Sequence, residues 1–328
     1  MKQKPFRVLV TGGFGFVGSH VVYKLVNLGY SVDVLDNRRT FILANAQYAQ
    51  QVQHYKSRLH QGLNNYFDVC TSDCSSIDKI VSNGKYNAII HLAAMPLATV
   101  AIQSPSEAFN VIINGTRNLL DSLRNFSTET HLINISSSMV YGNFINDSAS
   151  ENHPCEPLEI YGSFKRAAEL MCQAYANTFG INSTVVRPTA VYGFGDTNRR
   201  VVQTFLENAM NGIPLKIFDD KTSKLDFTHV LDLAEAICRV TISKPTGFEV
   251  YNFSASSPRT VTDVAEIIKE KIPKTKIITR ENTENFRPKR GKLDTSKFIK
   301  KFGVWEMLEL EKGIEITINQ YKCESIES

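Results

Sequence analysis

The stretch VLVTGGFGFVG, residues 8–18, is the feature that most constrains how this chain can fold. Its apolar, β-branched start favours a buried strand, and helically spaced apolar residues follow its glycines. Strand, glycine turn and helix in this order predict a dinucleotide-binding unit, because glycine lets the backbone approach a pyrophosphate at a helix N-terminus. The alternative is a tight turn that binds nothing. The predicted cofactor contacts here are Gly12, Gly15, Phe16, Val17 and Gly18.

An acidic residue completes this pattern. Asp36 closes the second predicted strand, residues 31–36, and lies 18 residues after Gly18. A carboxylate at this place can accept both ribose hydroxyls of an adenosine and would repel a 2′-phosphate. The sequence therefore predicts NAD rather than NADP, with Asn37 in the same pocket. Arg38 and Arg39 follow closely and keep the alternative open.

Composition bounds the class of protein. The 328 residues suffice for an α/β domain and a smaller lobe, which we place at 1–190, with a return near 225–245, and at 191–328. The net charge of +4 is too small and too mixed to indicate a nucleic-acid partner, and no apolar run is long enough to span a membrane. The first strand leaves no room for a signal peptide, so we expect a cytoplasmic protein with free cysteines and no metal.

Strand and helix patterns alternate through the first 190 or so residues, which predicts an α/β fold with a parallel sheet. Further strands are predicted at 66–70, 88–92, 132–135 and 183–187, and a long helix at 105–124. The second half is predicted to hold helices at 201–212, 230–243, 260–271 and 308–321, and short strands at 224–230 and 249–253. We assign this half mainly to substrate binding.

Two strand ends carry further candidate contacts to the cofactor. Asp73 follows the third strand, and it can bond the adenine amino group or cap the helix that begins after it. Both alternatives stay open. After the fourth strand, small residues would let the backbone lie against the cofactor, and the contacts predicted there are Leu92, Ala93 and Ala94. His91 in that strand is expected to be a packed residue rather than a catalyst.

Tyr161 and Lys165 are four residues apart, so they share one face of a predicted helix. A nearby ammonium favours tyrosinate and lowers the phenol pKa, which would make Tyr161 a base at neutral pH. Ser137, at the end of the fifth strand, could hydrogen-bond the same substrate oxygen. A base, a cation and a hydroxyl beside a nicotinamide are what the oxidation of an alcohol to a ketone requires.

Taken together, these motifs resemble an extended short-chain dehydrogenase/reductase of the NAD-dependent sugar-nucleotide epimerase/dehydratase family. The segments that carry the resemblance are TGGFGFVG at 11–18, HLAA at 91–94, SSSMVYG at 136–142, YGSFK at 161–165, RPTAVYG at 187–193, DFTHVLDLAEA at 226–236 and RPKRG at 287–291. The resemblance implies a Rossmann fold, a retained NAD and a dimer made through the helices near 105–124 and 161–179.

The resemblance also assigns site residues. Ser137 stands where the family keeps its catalytic serine or threonine, with Ser138 as the substitute. The other positions implied are Pro188 for the cofactor and Ser138, Thr189, Arg199 and Arg287 for a nucleotide-sugar substrate. The family usually has arginine directly before Asp226, and Leu225 stands there instead. An uncharged side chain cannot clamp a phosphate, so the usual pose of the diphosphate is in question.

The residues after Ser137 distinguish between activities of the family. The 4,6-dehydratases usually carry an Asp-Glu pair there, and decarboxylases a glutamate, whereas this chain has Ser138 and Met139. A thioether cannot donate a proton to a departing hydroxyl. We therefore expect an epimerase acting on C4 of a nucleotide sugar. The alternatives are a dehydratase or ketoreductase on the same class of substrate and a dinucleotide-binding sensor without chemistry.

Overall fold

The computed structural model describes residues 6–39, 46–95, 97–218, 224–244, 247–280 and 289–327. The elements of its first half are β1 (Arg7–Thr11), α1 (Phe16–Asn27), β2 (Ser31–Leu35), α2 (Ala46–Leu59), β3 (Asn65–Phe67), α3 (Cys74–Gly84), β4 (Ala88–His91), α4 (Ala98–Gln103), α5 (Pro105–Phe109), a π-helical turn (Asn110–Asn114), α6 (Gly115–Phe126), β5 (His131–Ile135), a 3₁₀ turn (Ser138–Tyr141), β6 (Ser148–Ala149), α7 (Ile160–Phe179) and β7 (Ser183–Pro188). Its second half contains β8 (Val191–Tyr192), α8 (Val201–Met210), β9 (Leu215–Phe218), β10 (Lys224–Leu225), β11 (Thr228–His229), α9 (Val230–Ile242), β12 (Phe248–Phe253), β13 (Arg259–Thr260), α10 (Val261–Lys271), β14 (Ile277–Arg280), β15 (Lys292–Leu293), α11 (Ser296–Phe302) and α12 (Leu310–Glu327).

Within the described residues, seven parallel strands form one sheet in the order β12, β7, β5, β4, β1, β2, β3. Val8 and Val10 face α1 and α9, while Leu9 faces α3 and α6, so both sides of β1 are buried. The predicted doubly wound parallel sheet is thereby confirmed. The strand order reverses beside β1, and ligands of such sheets bind in the crevice outside the carboxyl ends of the strands at that point.

The chain returns to the sheet over a longer segment than the expected 225–245. β12 lies parallel to β7 and pairs with it over six residues, from Phe248 to Phe253. Behind it, Trp305 stacks on Phe253 with ring centroids 5.6 Å apart. The apolar pattern at 249–253 predicts a strand, but so short a pattern does not indicate which strand it pairs with. The C-terminal half therefore contributes more to the sheet layer than its sequence indicated.

The predicted long helix at 105–124 is interrupted. α5 passes into the π-helical turn Asn110–Asn114 before α6 begins at Gly115. A Cβ atom on Gly115 would lie 2.5 Å from Thr71 Oγ1, so only glycine fits where α6 passes the end of β3. Asn118 Nδ2 donates to the Thr71 carbonyl at 2.9 Å and fixes the same approach. Close packing thus explains the poor helix formers at this place.

An apolar cluster in the smaller lobe is built by α8, α10 and α12 against β9, and it also includes Tyr48 and Val52 of α2. Its helices lie near the predicted 201–212, 260–271 and 308–321. All six cysteines are free thiols. Among the helices that the structure describes, none has the length and apolar character needed to cross a bilayer.

A buried ion pair joins α7 to the sheet. Glu169 and Arg187 are almost completely buried, and Arg187 Nε and Nη2 donate to the two carboxylate oxygens at 2.8 and 2.7 Å. Arg187 Nη1 also donates to the Tyr141 hydroxyl at 2.8 Å, and that hydroxyl donates to Asn252 Oδ1 at 2.7 Å. The network connects α7, β7, β12 and the 3₁₀ turn that follows β5.

We predict that Glu169→Gln lowers the free energy of unfolding by about 3–5 kcal/mol, because it leaves the Arg187 charge buried without its counter-ion. Chemical denaturation at neutral pH measures the loss. The matched control is Glu266→Gln, which breaks the exposed pair with Lys269 and should cost at most about 1 kcal/mol. Equal losses in the two variants would contradict this assignment.

Candidate active site

A cleft of about 1940 Å³ lies between the carboxyl edge of the sheet and the smaller lobe. This volume is about twice that of a pocket for one drug-sized ligand, which typically reaches ~1,000 Å³. The predicted site residues that line it are Gly12, Gly15, Phe16, Val17, Gly18, Asp36, Asn37, Leu92, Ala93, Ala94, Ser137, Ser138, Tyr161, Lys165, Pro188, Thr189 and Arg199. Arg287 lies outside the described residues.

The glycine turn at one end of the cleft is closely packed. A Cβ atom on Gly12, where φ is +71°, would lie 2.7 Å from the Ala93 nitrogen, and one on Gly18 would lie 2.1 Å from the Gly12 carbonyl oxygen. α1 starts with Gly15 at its N-cap, without a side-chain cap and without an acidic residue in its first turn. Its first N–H groups and positive dipole end therefore lie at the cleft, and the first turn of the helix supplies no anion of its own. These features fit a dinucleotide pyrophosphate.

The carboxylate of Asp36 lies next to this glycine turn. Its carboxylate accepts hydrogen bonds from the Phe14 nitrogen at 2.9 Å and the Arg38 nitrogen at 2.7 Å. The guanidinium of Arg38 lies over the rings of Phe14 and Tyr66, with its central carbon 5.0 and 4.5 Å from their centroids. The guanidinium of Arg38 therefore packs on two aromatic rings, and the carboxylate of Asp36 is available where the ribose is predicted to bind.

Asp73 does not reach the cleft. Its carboxylate caps α3, accepting from the Ser76 nitrogen at 3.2 Å and from the Ser76 and Ser75 hydroxyls at 2.6 and 3.0 Å. Of the two alternatives in the sequence, the structure shows the helix cap, and the adenine contact stays a prediction. His91, as expected, is a packed residue. Its ring nitrogens lie 2.8 and 3.2 Å from the hydroxyls of Thr11 and Thr116.

Tyr161, Ser137 and Lys165 meet in the middle of the cleft. Ser137 lies near enough to Tyr161 to lower the pKa of its phenol, the Ser137 hydroxyl accepts from the Met139 nitrogen at 3.2 Å, and Lys165 Nζ donates to the Ile135 carbonyl at 2.7 Å. Lys165 Nζ lies 5.9 Å from the centroid of the Tyr161 ring. Burial lowers the pKa of Lys165 to about 8, opposed by the charge of Glu169 one turn further along α7. The structure thus brings the three predicted residues together.

One electrostatic expectation is corrected. The pKa of Tyr161 is raised to about 12, because burial disfavours the phenolate more strongly than nearby charges favour it. The charge of Arg200 opposes this rise and the nearby Ser137 side chain opposes it less strongly, whereas Glu159 raises the pKa further. The Lys165 ammonium is directed at a backbone carbonyl instead. The four-residue spacing of Tyr161 and Lys165 predicts that they share a helix face, but it does not predict the direction of the Lys165 ammonium.

Three charged residues lie near the tyrosine, of which the sequence offered Arg200 and Arg290 only as possible cations for the diphosphate and did not single out Glu159. Glu159 caps α7, accepting from the nitrogens of Tyr161 and Gly162 at 2.7 Å each. Arg290 Nη1 lies 3.3 Å from Ser138 Oγ, and Arg200 pairs with Asp196 at 2.8 Å. An acidic N-cap two residues before Tyr161 was a usable signal for Glu159. Nothing local in the sequence places Arg290 beside Ser138.

The far end of the cleft is formed by the smaller lobe. Leu225 and Phe227 line it together with Phe205, and Lys216 is the exposed cation beside them. Arg199 also lines the cleft and has a positive φ of 53°, which directs the backbone of the loop before α8. Leu225 therefore presents an apolar surface where the resemblance leads one to expect a guanidinium.

Residues 8–253 match the model of the NAD dependent epimerase/dehydratase family. A UDP-glucuronate 4-epimerase of Thermodesulfobacterium geofontis is 28% identical over 324 residues, which are 97% of each chain. A trifunctional UDP-glucose 4,6-dehydratase/UDP-4-keto-6-deoxy-D-glucose 3,5-epimerase/UDP-4-keto-L-rhamnose-reductase of Arabidopsis thaliana is 28% identical over 97% of this chain. This chain spans about half, 47%, of that relative.

Solved structures of other proteins share the fold of this chain. A UDP-glucose 4-epimerase of Thermotoga maritima with UDP-glucose superimposes with a TM-score of 0.83 at 25% identity, covering 97% of this chain and 99% of that one. A UDP-glucuronic acid 4-epimerase of Bacillus cereus, in complex with UDP-glucuronic acid and NAD, has the same fold with a TM-score of 0.86 at 23% identity and the same coverage. NAD as cofactor, predicted from the glycine turn and Asp36, is confirmed by the family match, and the chain belongs to the NAD dependent epimerase/dehydratase family.

Proposed function

We propose that this chain is an NAD-dependent nucleotide-sugar epimerase that inverts C4 of the sugar through a transient 4-keto intermediate. The observation that carries the proposal is that Tyr161, Ser137 and Lys165 line one cleft that also contains the glycine turn, with Lys165 Nζ 5.9 Å from the centroid of the Tyr161 ring. Relatives named as UDP-glucuronate and UDP-glucose 4-epimerases support the same activity.

In this mechanism Tyr161 accepts the proton of the C4 hydroxyl and later returns it. NAD, when bound, would supply the acceptor for the C4 hydride. Ser137 donates to the same sugar oxygen and keeps it within reach of the phenol. Because burial raises the pKa of Tyr161 to about 12, nearby positive charge, including that of Arg200, has to favour the phenolate during the reaction.

The side chains after Ser137 favour epimerisation over dehydration. Met139 stands where an acid would have to protonate a departing hydroxyl, and its thioether has no proton to give. The carboxylate of Glu159 already accepts two backbone N–H groups at the start of α7. An epimerase needs no such acid, because the ketone only has to rotate and accept the hydride on its other face. A ketoreductase would consume reduced cofactor in stoichiometric amounts, which distinguishes it.

Several further assignments belong to the same proposal. Lys165 and Pro188 would hold the nicotinamide ribose and ring, while Ser138, Thr189 and Arg199 would contact the nucleotide sugar. The substrate-binding lobe is then formed mostly by residues 191–328. With Leu225 in place of an arginine, Arg199 and Arg287 are the cations we assign to the diphosphate.

A homodimer is part of the proposal as well. Phe109 and Leu170 are 44% and 47% exposed on the helices that the resemblance assigns to a dimer interface, and Phe109 packs against Phe164 across them. Apolar side chains of this kind are typical of a face covered by a partner. We also propose a cytoplasmic location, because free thiols at all six cysteines suit a reducing compartment.

We predict that Tyr161→Phe lowers kcat by about 10²–10⁴-fold, because the variant retains the ring but has no group to move the proton. NAD should remain bound, as measured by its absorbance after release from the denatured protein. NMR of the sugar protons follows turnover on a panel of UDP-, GDP-, CDP- and dTDP-sugars.

The matched control is Tyr175→Phe on the same helix. Its hydroxyl bonds Asp121 outside the cleft, so activity should stay within about twofold of wild type. Tyr161→Phe activity within a few-fold of wild type would remove this residue as the base.

For the cofactor, we predict that Asp36→Ala weakens NAD about 10–100-fold, the loss expected for hydrogen bonds to a charged group. NADP should be weakened less, because the same change removes the repulsion of its 2′-phosphate. Calorimetry on cofactor-depleted protein measures both affinities. Asp36→Asn retains an acceptor for the Phe14 nitrogen and so controls for the shape of the turn. Equal losses for the two cofactors would contradict the ribose assignment.

A further inference from the structure

An ion pair crosses the cofactor end of the cleft. Arg39, on the loop after β2, pairs through Nη1 with Oε1 of Glu107 on α5, and both residues line the cleft. In the sheet, β1 lies between β2 and β4, and α4 and α5 follow β4 in the chain. The two side chains therefore reach each other past the carboxyl end of β1, where the glycine turn lies.

The loop after β2 is short and hydrogen-bonded. The Asp36 carboxylate accepts from the Arg38 nitrogen at 2.7 Å, and Asn37 Oδ1 accepts from the Arg39 nitrogen at 3.1 Å. Arg38 has a positive φ of 50°, which side chains other than glycine rarely adopt, and its guanidinium packs on two aromatic rings. Local contacts thus turn the chain sharply between β2 and Arg39.

Glu107 lies on an equally fixed support. Its neighbour Ala108 is completely buried in an apolar cluster with Ala101 of α4 and Ala168 of α7. The side chain of Glu107 is 24% exposed, and that of Arg39 is 58% exposed. The acid is therefore the more enclosed partner, and it is attached to the layer that also carries the proposed base.

A dinucleotide has to pass this pair. The predicted ribose contact, Asp36, follows β2, whereas Lys165 Nζ donates to the carbonyl of Ile135 at the end of β5. In the sheet, β1 and β4 lie between these two places. NAD that reaches from Asp36 to Lys165 spans the carboxyl ends of the strands that the pair crosses. The pair must then separate for so large a ligand to enter or leave.

We propose that the ion pair between Arg39 and Glu107 is a clasp that slows both the entry and the release of NAD. The inference goes beyond the proposed epimerase, since it concerns the cofactor of the family and holds for any reaction in this cleft. In this proposal the clasp is closed before and after NAD binds. Its strength then contributes to the barrier in both directions and leaves the affinity unchanged.

The test uses the full chain, depleted of cofactor, with NADH as the fluorescent probe in stopped-flow measurements. Glu107→Gln should raise the association and dissociation rate constants together by about two- to fivefold, the factor that an ion pair of this exposure provides. The Kd should stay within about 1.5-fold of wild type. Arg39→Gln should behave alike, and the double variant should be no faster than either single one, because all three lack the same pair.

Two controls isolate the effect. Glu249→Gln breaks the pair with Lys297, which is similarly exposed and lies outside the cleft, and should leave both rate constants unchanged. High salt screens exposed charges, so it should accelerate NADH release from wild type more than from Glu107→Gln. Melting temperatures equal to that of wild type show that the variants are folded.

Three outcomes would overturn the clasp. Rate constants that do not change in either single variant would do so, as would effects that add in the double variant. Weaker binding of NADH by Arg39→Gln together with tighter binding by Glu107→Gln would make Arg39 a direct contact to the phosphates instead. These measurements need no sugar substrate, so their outcome is independent of the proposed epimerase.

Discussion

The ion pair between Glu169 and Arg187 positions the helix on which the proposed chemistry depends. Two charges that are almost fully buried are stable only with good geometry and with their remaining hydrogen-bonding capacity satisfied. The bidentate contact between α7 and β7, extended through the hydroxyl of Tyr141, meets this condition. One turn earlier, Lys165 donates to the Ile135 carbonyl of β5. Two cationic contacts therefore fix α7 against two neighbouring strands, and they set the position of Tyr161 on the same helix.

That position has an electrostatic cost. The burial that immobilises Tyr161 and Lys165 disfavours the charged form of each, so the phenol pKa rises to about 12 and the lysine pKa falls to about 8. Glu169 offsets part of the second shift, which gives the structural ion pair an influence on the site. The charge of Arg200, whose loop precedes α8 in the smaller lobe, offsets part of the rise in the phenol pKa. The reactivity of the tyrosine thus depends on both lobes, although its helix belongs to one.

Local signals in the sequence predicted site residues that the structure brings to one cleft, where a single short segment carries each signal. The glycine turn, Asp36 and the Tyr161–Lys165 spacing each combine a strand end or a helix face with a residue type that chemistry demands there. Asp73 shows the limit, since one carboxylate after a strand suits a ligand and a helix cap equally well. Contacts between distant segments had no local signal. The pairing of β12 with β7 and the approach of Arg290 to Ser138 join residues more than sixty positions apart.

The same division separates the chemistry of the cleft from its specificity. The groups proposed to move protons lie on α7 and at the end of β5, both fixed by the sheet. Cations that line the lobe side of the cleft lie on loops, at Arg199, Arg200 and Arg290, while Leu225 leaves apolar the position where the resemblance leads one to expect an arginine. A positive field depends on the sum of nearby charges rather than on one position. The lobe can therefore lack a guanidinium on one strand and carry others on adjacent loops. Such a change would alter the preferred sugar while the geometry of Tyr161 stays the same.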